Sequence, residues 1–264
     1  MGKLIKMDFY RLFQSKLFWI LCAVTFGIEM IISFGLPFLL DMVKNFSDNP
    51  DSNNITNDVS FSSLVSEPIT GLLLIVMFAS VTAFLFADIR NGYIKNIAGQ
   101  LPKKGHTVVS KIVASIIHNF IFMLFGFLGS FIGNLLCPKT TIFFDNKILS
   151  ALVVVVLNLI LSMAMVSIIL FLTTGLRNKT LASIVSVLFS VSALSLLYMG
   201  INKLLEVVGL KEFDIGNYMP DQLYGQKFDL AAVDSVISAA LVGIAFCAVF
   251  LFLTVAIVNK RDVK

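Results

Sequence analysis

Few residues in this 264-residue chain are able to do chemistry, and their spacing rules out most of what they might have done. The two histidines, His106 and His118, form no HExxH pair. The three cysteines, Cys22, Cys137 and Cys247, show no CxxC or metal-ligand spacing. With no GxSxG elbow and no acidic cluster either, neither a zinc centre, a serine nucleophile nor a disulfide framework is expected, and no metal is called for. No GxxxxGK[ST] loop occurs, so the chain has no phosphate cradle of that type. What remains are polar groups set inside apolar runs: Glu29, the pair His118 and Asn119, and Asn158. A carboxyl group in hydrocarbon is costly to keep, which makes Glu29 a candidate for touching a cationic substrate on a translocation pathway or for holding a neighbouring helix. His118, Asn119 and Asn158 suit hydrogen bonds between helices, with His118 and Asn119 as further pathway candidates.

The elements that hold these groups follow from composition. Apolar residues make up 58% of the chain and charged residues only 14%, with a mean hydropathy of +0.92, whereas a soluble domain averages about 25% charged. The apolar residues come in long blocks, and a membrane-spanning helix needs about 20 of them because every backbone amide in lipid must be bonded within the segment. Six stretches qualify: Leu17 to Leu40, Ile69 to Ala87, Ile112 to Leu136, Leu149 to Thr174, Leu181 to Tyr198 and Ser235 to Val258. The expected fold class is therefore an all-α membrane protein with six transmembrane helices in one domain spanning 1–264. No cleavable signal sequence is expected, since Leu17 to Leu40 is too long for one and no small-x-small site follows it.

Lys and Arg flanking a span stay on the cytoplasmic side. Fourteen of the 20 fall in one set of connectors: Lys3, Lys6, Arg11 and Lys16; Arg90, Lys95, Lys103, Lys104 and Lys111; Arg177 and Lys179; Lys260, Arg261 and Lys264. The alternate set holds six, Lys44, Lys139, Lys147, Lys203, Lys211 and Lys227. Both termini are thus expected inside, and the basic balance of the chain needs no nucleic acid to explain it. Ile5, Phe9, Leu12 and Phe13 at helical spacing among cations predict an amphipathic helix over residues 1–16 lying on anionic membrane lipids. Residues 201–234 mix apolar and charged positions and predict a structured outer segment between the last two spans, either a short helix dipping into the leaflet or a small cap. Small residues recur at helical spacing at Gly126, Gly129 and Gly133, at Ala182, Ser186, Ser190 and Ala193, and at Ser235, Ala239 and Gly243, marking faces where backbones approach closely.

The connector 88–111 is the most informative. Ile89, Tyr93, Ile97 and Leu101 recur every four residues, predicting a short helix with one apolar face, ended by Pro102 and too short to span. An acidic residue closing the second span (Asp88), then Arg90-Asn91-Gly92-Tyr93-Ile94-Lys95, Leu101-Pro102 and Ser110-Lys111 resembles the coupling-helix loop of type-2 ABC exporter permeases. The basic N-terminal helix matches that family's elbow helix, and the outer segment and Lys260-Arg261-Asp262 match its layout. Lys103-Lys104-Gly105 departs from the Ser-Arg that often follows Leu-Pro there. The resemblance implies a permease subunit, not itself an enzyme, in the bacterial cytoplasmic membrane. Arg90, Asn91, Gly92, Tyr93, Ile94, Lys95 and Asn96 would contact a separate ABC ATPase that binds ATP and magnesium, and a second permease copy would complete the assembly. The abundance of Phe (25) and Met (10) suits amphipathic or hydrophobic cargo such as membrane-active or antimicrobial peptides. A non-transporting scaffold or channel-like subunit is the alternative.

Overall fold

The computed structural model describes residues 1–46, 58–67, 71–90, 105–207, 214–226, 228 and 233–260. Helix α1 (Gly2–Gln14) is followed after Ser15 by α2 (Lys16–Phe46), which continues through Pro37 instead of stopping at Leu40. A strand β1 (Asp58–Ser60) leads into the short α3 (Phe61–Ser66), capped by the Ser60 hydroxyl, and then α4 (Gly71–Arg90). The next helix, α5 (His106–Leu136), begins six residues before the expected Ile112. Strand β2 (Thr141–Phe143) precedes α6 (Ile148–Leu170), which widens into a π-helical turn over Phe171–Gly175. Then come α7 (Lys179–Ser190), α8 (Leu194–Val207), a 3-10 turn (Ile215–Tyr218), α9 (Pro220–Leu223) and α10 (Val233–Lys260).

Four of these elements are long and apolar enough to cross a bilayer: Lys16–Leu40, His106–Leu136, Ile148–Gly175 and Val233–Lys260. A fifth follows if the bent pair α7 and α8 counts as one, while Gly71–Ala87 is apolar but shorter. The chain is an all-helical bundle with the polarity of a membrane protein. Its outer surface carries Leu149 at 74% exposure, Phe252 at 73% and Ile31 at 69%, while Ser115, His118, Asn119, Ser162 and Ser167 are fully buried. Water would favour the reverse, with the aliphatic groups inside and the hydroxyls out.

Side-chain pairs fix the directions of the helices. Phe18 meets His118 (ring centroids 5.2 Å apart) and Ser33 donates to Ser130 (3.1 Å), so α2 and α5 run parallel. Lys111 reaches Leu85 and Ser80 bonds His118, so α4 runs against α5. Thr82 meets Ser186 and Lys179 sits over the Phe86 ring, so α7 runs against α4. Gly243 abuts Ile160, and Phe171 meets Phe250, so α10 runs with α6. At one end of the bundle stand α1, the last turn of α4, the start of α5 and the last turn of α10, where the Gly105 amide donates to Asn259 Oδ1 at 2.8 Å.

Two departures from the expected spans have local causes. The fifth span is not one rod: α7 and α8 meet at 79°. Ser192 takes a left-handed conformation (φ 52), the Ala193 amide donates to the Leu188 carbonyl and the Ser192 amide to that of Phe189. That bond pattern is a Schellman helix stop, which glycine usually supplies. The early start of α5 is held by burial of Ser110 and Lys111 against α1 and α4. In addition β1 and β2 pair in parallel over three rungs, Asp58 with Thr141, Val59 with Ile142 and Ser60 with Phe143, giving the otherwise helical chain a small two-stranded ladder. Asp145 just beyond it accepts from the backbone and hydroxyl of Ser62, and Phe61 packs between Phe131 and Phe144.

The closest helix contact is α2 on α5. A Cβ added at Gly129 would collide with the Phe26 carbonyl, and one at Gly133 would stand 2.5 Å from that of Met30, whereas Gly27 has open space. Gly129→Ala and Gly133→Ala are each expected to cost about 1–3 kcal/mol of stability, because the obstacle is backbone and cannot rotate away. Gly27→Ala is expected to cost nothing. Apparent Tm of the detergent-solubilised variants checks this, and equal melting of all three would refute the close approach.

Candidate functional site

Asp8 is the only acidic residue in the first 28, and α1 turns it inward one helical turn before Leu12. Its carboxylate accepts from the Ser110 hydroxyl and lies 3.7 Å from the Arg11 guanidinium. The neighbouring Lys111 is 2% exposed and donates to the Leu85 carbonyl at 2.9 Å, in the last two turns of α4. With the Gly105 to Asn259 bond, these contacts tie α1, α4, α5 and α10 around the point where the chain leaves α4 and re-enters at Gly105. Arg90 is the last residue of α4. Asn91, Gly92, Tyr93, Ile94, Lys95 and Asn96 lie outside the described residues, as does the expected short helix around Tyr93. Sequence reading missed the clamp itself. Its signal was a lone aspartate on a cationic helix, at i−4 from a leucine on the same face.

Further along the bundle a polar chain crosses three helices. Asn119 Nδ2 donates to Ser162 Oγ (3.1 Å), and Ser162 passes its own hydrogen to the Leu159 carbonyl. That leaves Asn119 Oδ1 facing His118 Nδ1 (3.3 Å), an oxygen that can only accept. His118 therefore carries its hydrogen on Nδ1, and Nε2 accepts from Ser80 Oγ at 2.9 Å. The ring stacks on Phe122 and is fully buried. Every polar atom of this relay is matched within the protein, and neither His118 nor Asn119 borders open space. Asn158, one turn before Ser162, accepts from the Gly225 amide (3.2 Å) and so holds the segment 220–226 against α6.

Glu29 is placed differently. It lines a cavity of about 690 Å³ at the end of the bundle away from α1. Ile32, Leu36, Pro37 and Leu40 continue down the same helix and, with Val154 of α6, form an apolar wall. Ser33, Ser130 and Asn134 form a polar floor, where the Asn134 amide nitrogen donates to the Ser130 carbonyl at 3.0 Å. Asp58, Glu67 and Lys147 stand at the rim, with β1 and α3 along one side. Glu67 lies near enough for its charge to act on that of Glu29. Among the described residues no group of three metal-ligating side chains occurs.

The relay and the cavity make separable demands. His118→Leu leaves the Ser80 hydroxyl and Asn119 oxygen unmatched and is expected to cost about 1–3 kcal/mol of stability. Adding Ser80→Ala removes one orphan, so the double variant is expected to be more stable than the sum of the single losses. A thermal-melt double-mutant cycle measures this, and strict additivity would remove the Ser80–His118 bond from the account. Comparison with known families and curated proteins finds no family profile and no curated protein that matches this chain.

Proposed function

We propose that the chain is the transmembrane permease subunit of an ATP-driven exporter, moving amphipathic or hydrophobic cargo such as membrane-active peptides outward. In this reading α2, α4, α5, α6 with its π turn, the α7–α8 pair and α10 are six spans of a bacterial cytoplasmic membrane. Helix α1 is the interfacial elbow, and both termini are cytoplasmic. A separate ATPase docks on the segment after α4, through Arg90, Asn91, Gly92, Tyr93, Ile94, Lys95 and Asn96, and a second copy or a sibling completes a two-fold assembly. Nucleotide and magnesium belong to that ATPase.

The observation that carries the reading is the convergence of the cationic connectors at one end of the bundle. Lys3, Lys6 and Arg11 lie on α1, Lys16 opens α2, Lys111 stands at the start of α5, Lys179 beside the end of α4, and Lys260 closes α10. Helix directions worked out from side-chain contacts and charge counted along the sequence thus agree, as the retention of cations on the cytoplasmic face requires. The same end carries the Asp8 clamp, so a push delivered between Arg90 and Gly105 would reach α1, α4, α5 and α10 together.

Co-expression with the ATPase encoded in the adjacent reading frame and purification in detergent tests this. The two proteins are expected to co-purify with cargo-stimulated ATP hydrolysis, and Gly92→Trp or Tyr93→Ala to reduce that stimulation by about tenfold or more, as loss of a central docking residue does. A chain that captures no ATPase is instead a scaffold or channel-like subunit. Full capture by both variants would move the docking site elsewhere. A single cysteine at Lys95, in a background lacking the three native cysteines, is expected to react with an impermeant maleimide only after the cells are opened.

A further inference from the structure

We propose that the cavity beside Glu29 is the binding site for a cationic amphiphile, an ammonium group joined to an apolar body, which narrows the cargo class of the exporter reading on which it rests. One wall is aliphatic, from Ile32, Leu36 and Leu40. The facing groups are almost all acceptors. Glu29, Asp58 and Glu67 bring three carboxylates, and Lys147 is the only cation among the described lining residues. Asn134 is 7% exposed; its amide nitrogen is committed to the Ser130 carbonyl. Its amide oxygen accepts no hydrogen bond among the described residues, although the side chain borders the cavity.

A buried amide oxygen with no donor is a deficit that a ligand can remove, and it asks for an N–H or O–H group. The carboxylates ask for positive charge on the same group, since a charge-assisted hydrogen bond is about twice as strong as a neutral one. An anionic or purely apolar ligand would leave both demands unmet. The apolar wall, one helical turn and more beyond Glu29, takes the body of the molecule. A volume of about 690 Å³ lies within the range of small-molecule sites, roughly 300–1,000 Å³. An ammonium at Glu29 would also relieve the like-charge contact with Glu67.

The test is direct binding to the full chain in phosphatidylcholine nanodiscs, with empty nanodiscs as the blank. The probe is dansylcadaverine, a fluorescent naphthalene carrying one primary ammonium. Its N-acetylated form is the uncharged control. Saturable binding of the amine, about tenfold or more tighter than the acetylated form, is expected. Glu29→Gln and Asn134→Leu are expected to weaken it several-fold, and Lys147→Gln to tighten it. A gain of affinity in the last variant is not something misfolding produces. Equal binding of the two forms, or unchanged affinity in both Glu29→Gln and Lys147→Gln, would overturn the assignment. Because the assay contains no ATPase, charge-selective binding supports the site even where no ATPase is captured, and capture without binding sinks the site while leaving the exporter reading.

Discussion

The contact of α2 with α5 at Gly129 and Gly133 is the constraint on which the other features rest. Two parallel helices in lipid gain nothing from hiding apolar surface from each other, because the solvent is equally apolar. They associate through dispersion contacts and through polar groups that meet only if the backbones come close. The missing side chains at Gly129 and Gly133 let the Phe26 and Met30 carbonyls reach α5, and that proximity brings Ser33 within 3.1 Å of Ser130. The same approach sets the floor of the cavity, since Ser130 and Asn134 lie on the face of α5 that the glycines press on α2. It also seats Phe18 against His118 and Phe122.

Two kinds of buried polarity then separate. The Ser80, His118, Asn119 and Ser162 relay is saturated, with each donor matched to an acceptor and no room for a ligand. Such networks lock helices in one arrangement, because displacing any member orphans the next. Around Glu29 the balance is lopsided, with acceptors in excess and space beside them. Both sets look alike as polar letters in apolar runs. What distinguishes them is whether each group's partner is another residue or open volume, and that depends on the angle at which the helices cross.

Much of the bundle was legible in the sequence. The blocks now seen as α2, α5, α6 and α10 stood out because lipid demands an unbroken apolar run, and the amphipathic spacing of Ile5, Leu12 and their neighbours announced α1. Less legible was the inward face of α1, where the burial of Asp8 depends on Ser110 more than a hundred residues away. The break at Ser192 left no trace because a serine holds the position where glycine is the usual marker. The β1–β2 ladder was invisible for a different reason. Three-residue strands carry too few alternations to register, and this pair forms only because α2 and α5 deliver their ends side by side. Of the candidate site residues, Glu29 was found from its charge alone, whereas Asn134 and Lys147 acquire meaning only from the cavity they share with it.

The Schellman stop at Ser192 has a consequence for the surrounding bilayer. With twelve residues α7 is about 18 Å long, against a hydrocarbon core of roughly 30 Å. The next fourteen residues turn away at 79° and none of them is buried in the chain. Hydrophobic mismatch of that size is met by tilt, by local thinning of the lipid or by another polypeptide filling the shortfall. On the flank presented by α7 and α8 the membrane is therefore under a deformation that the long helices α2 and α5 do not impose, and lipid thickness becomes a variable to which this one side of the bundle responds.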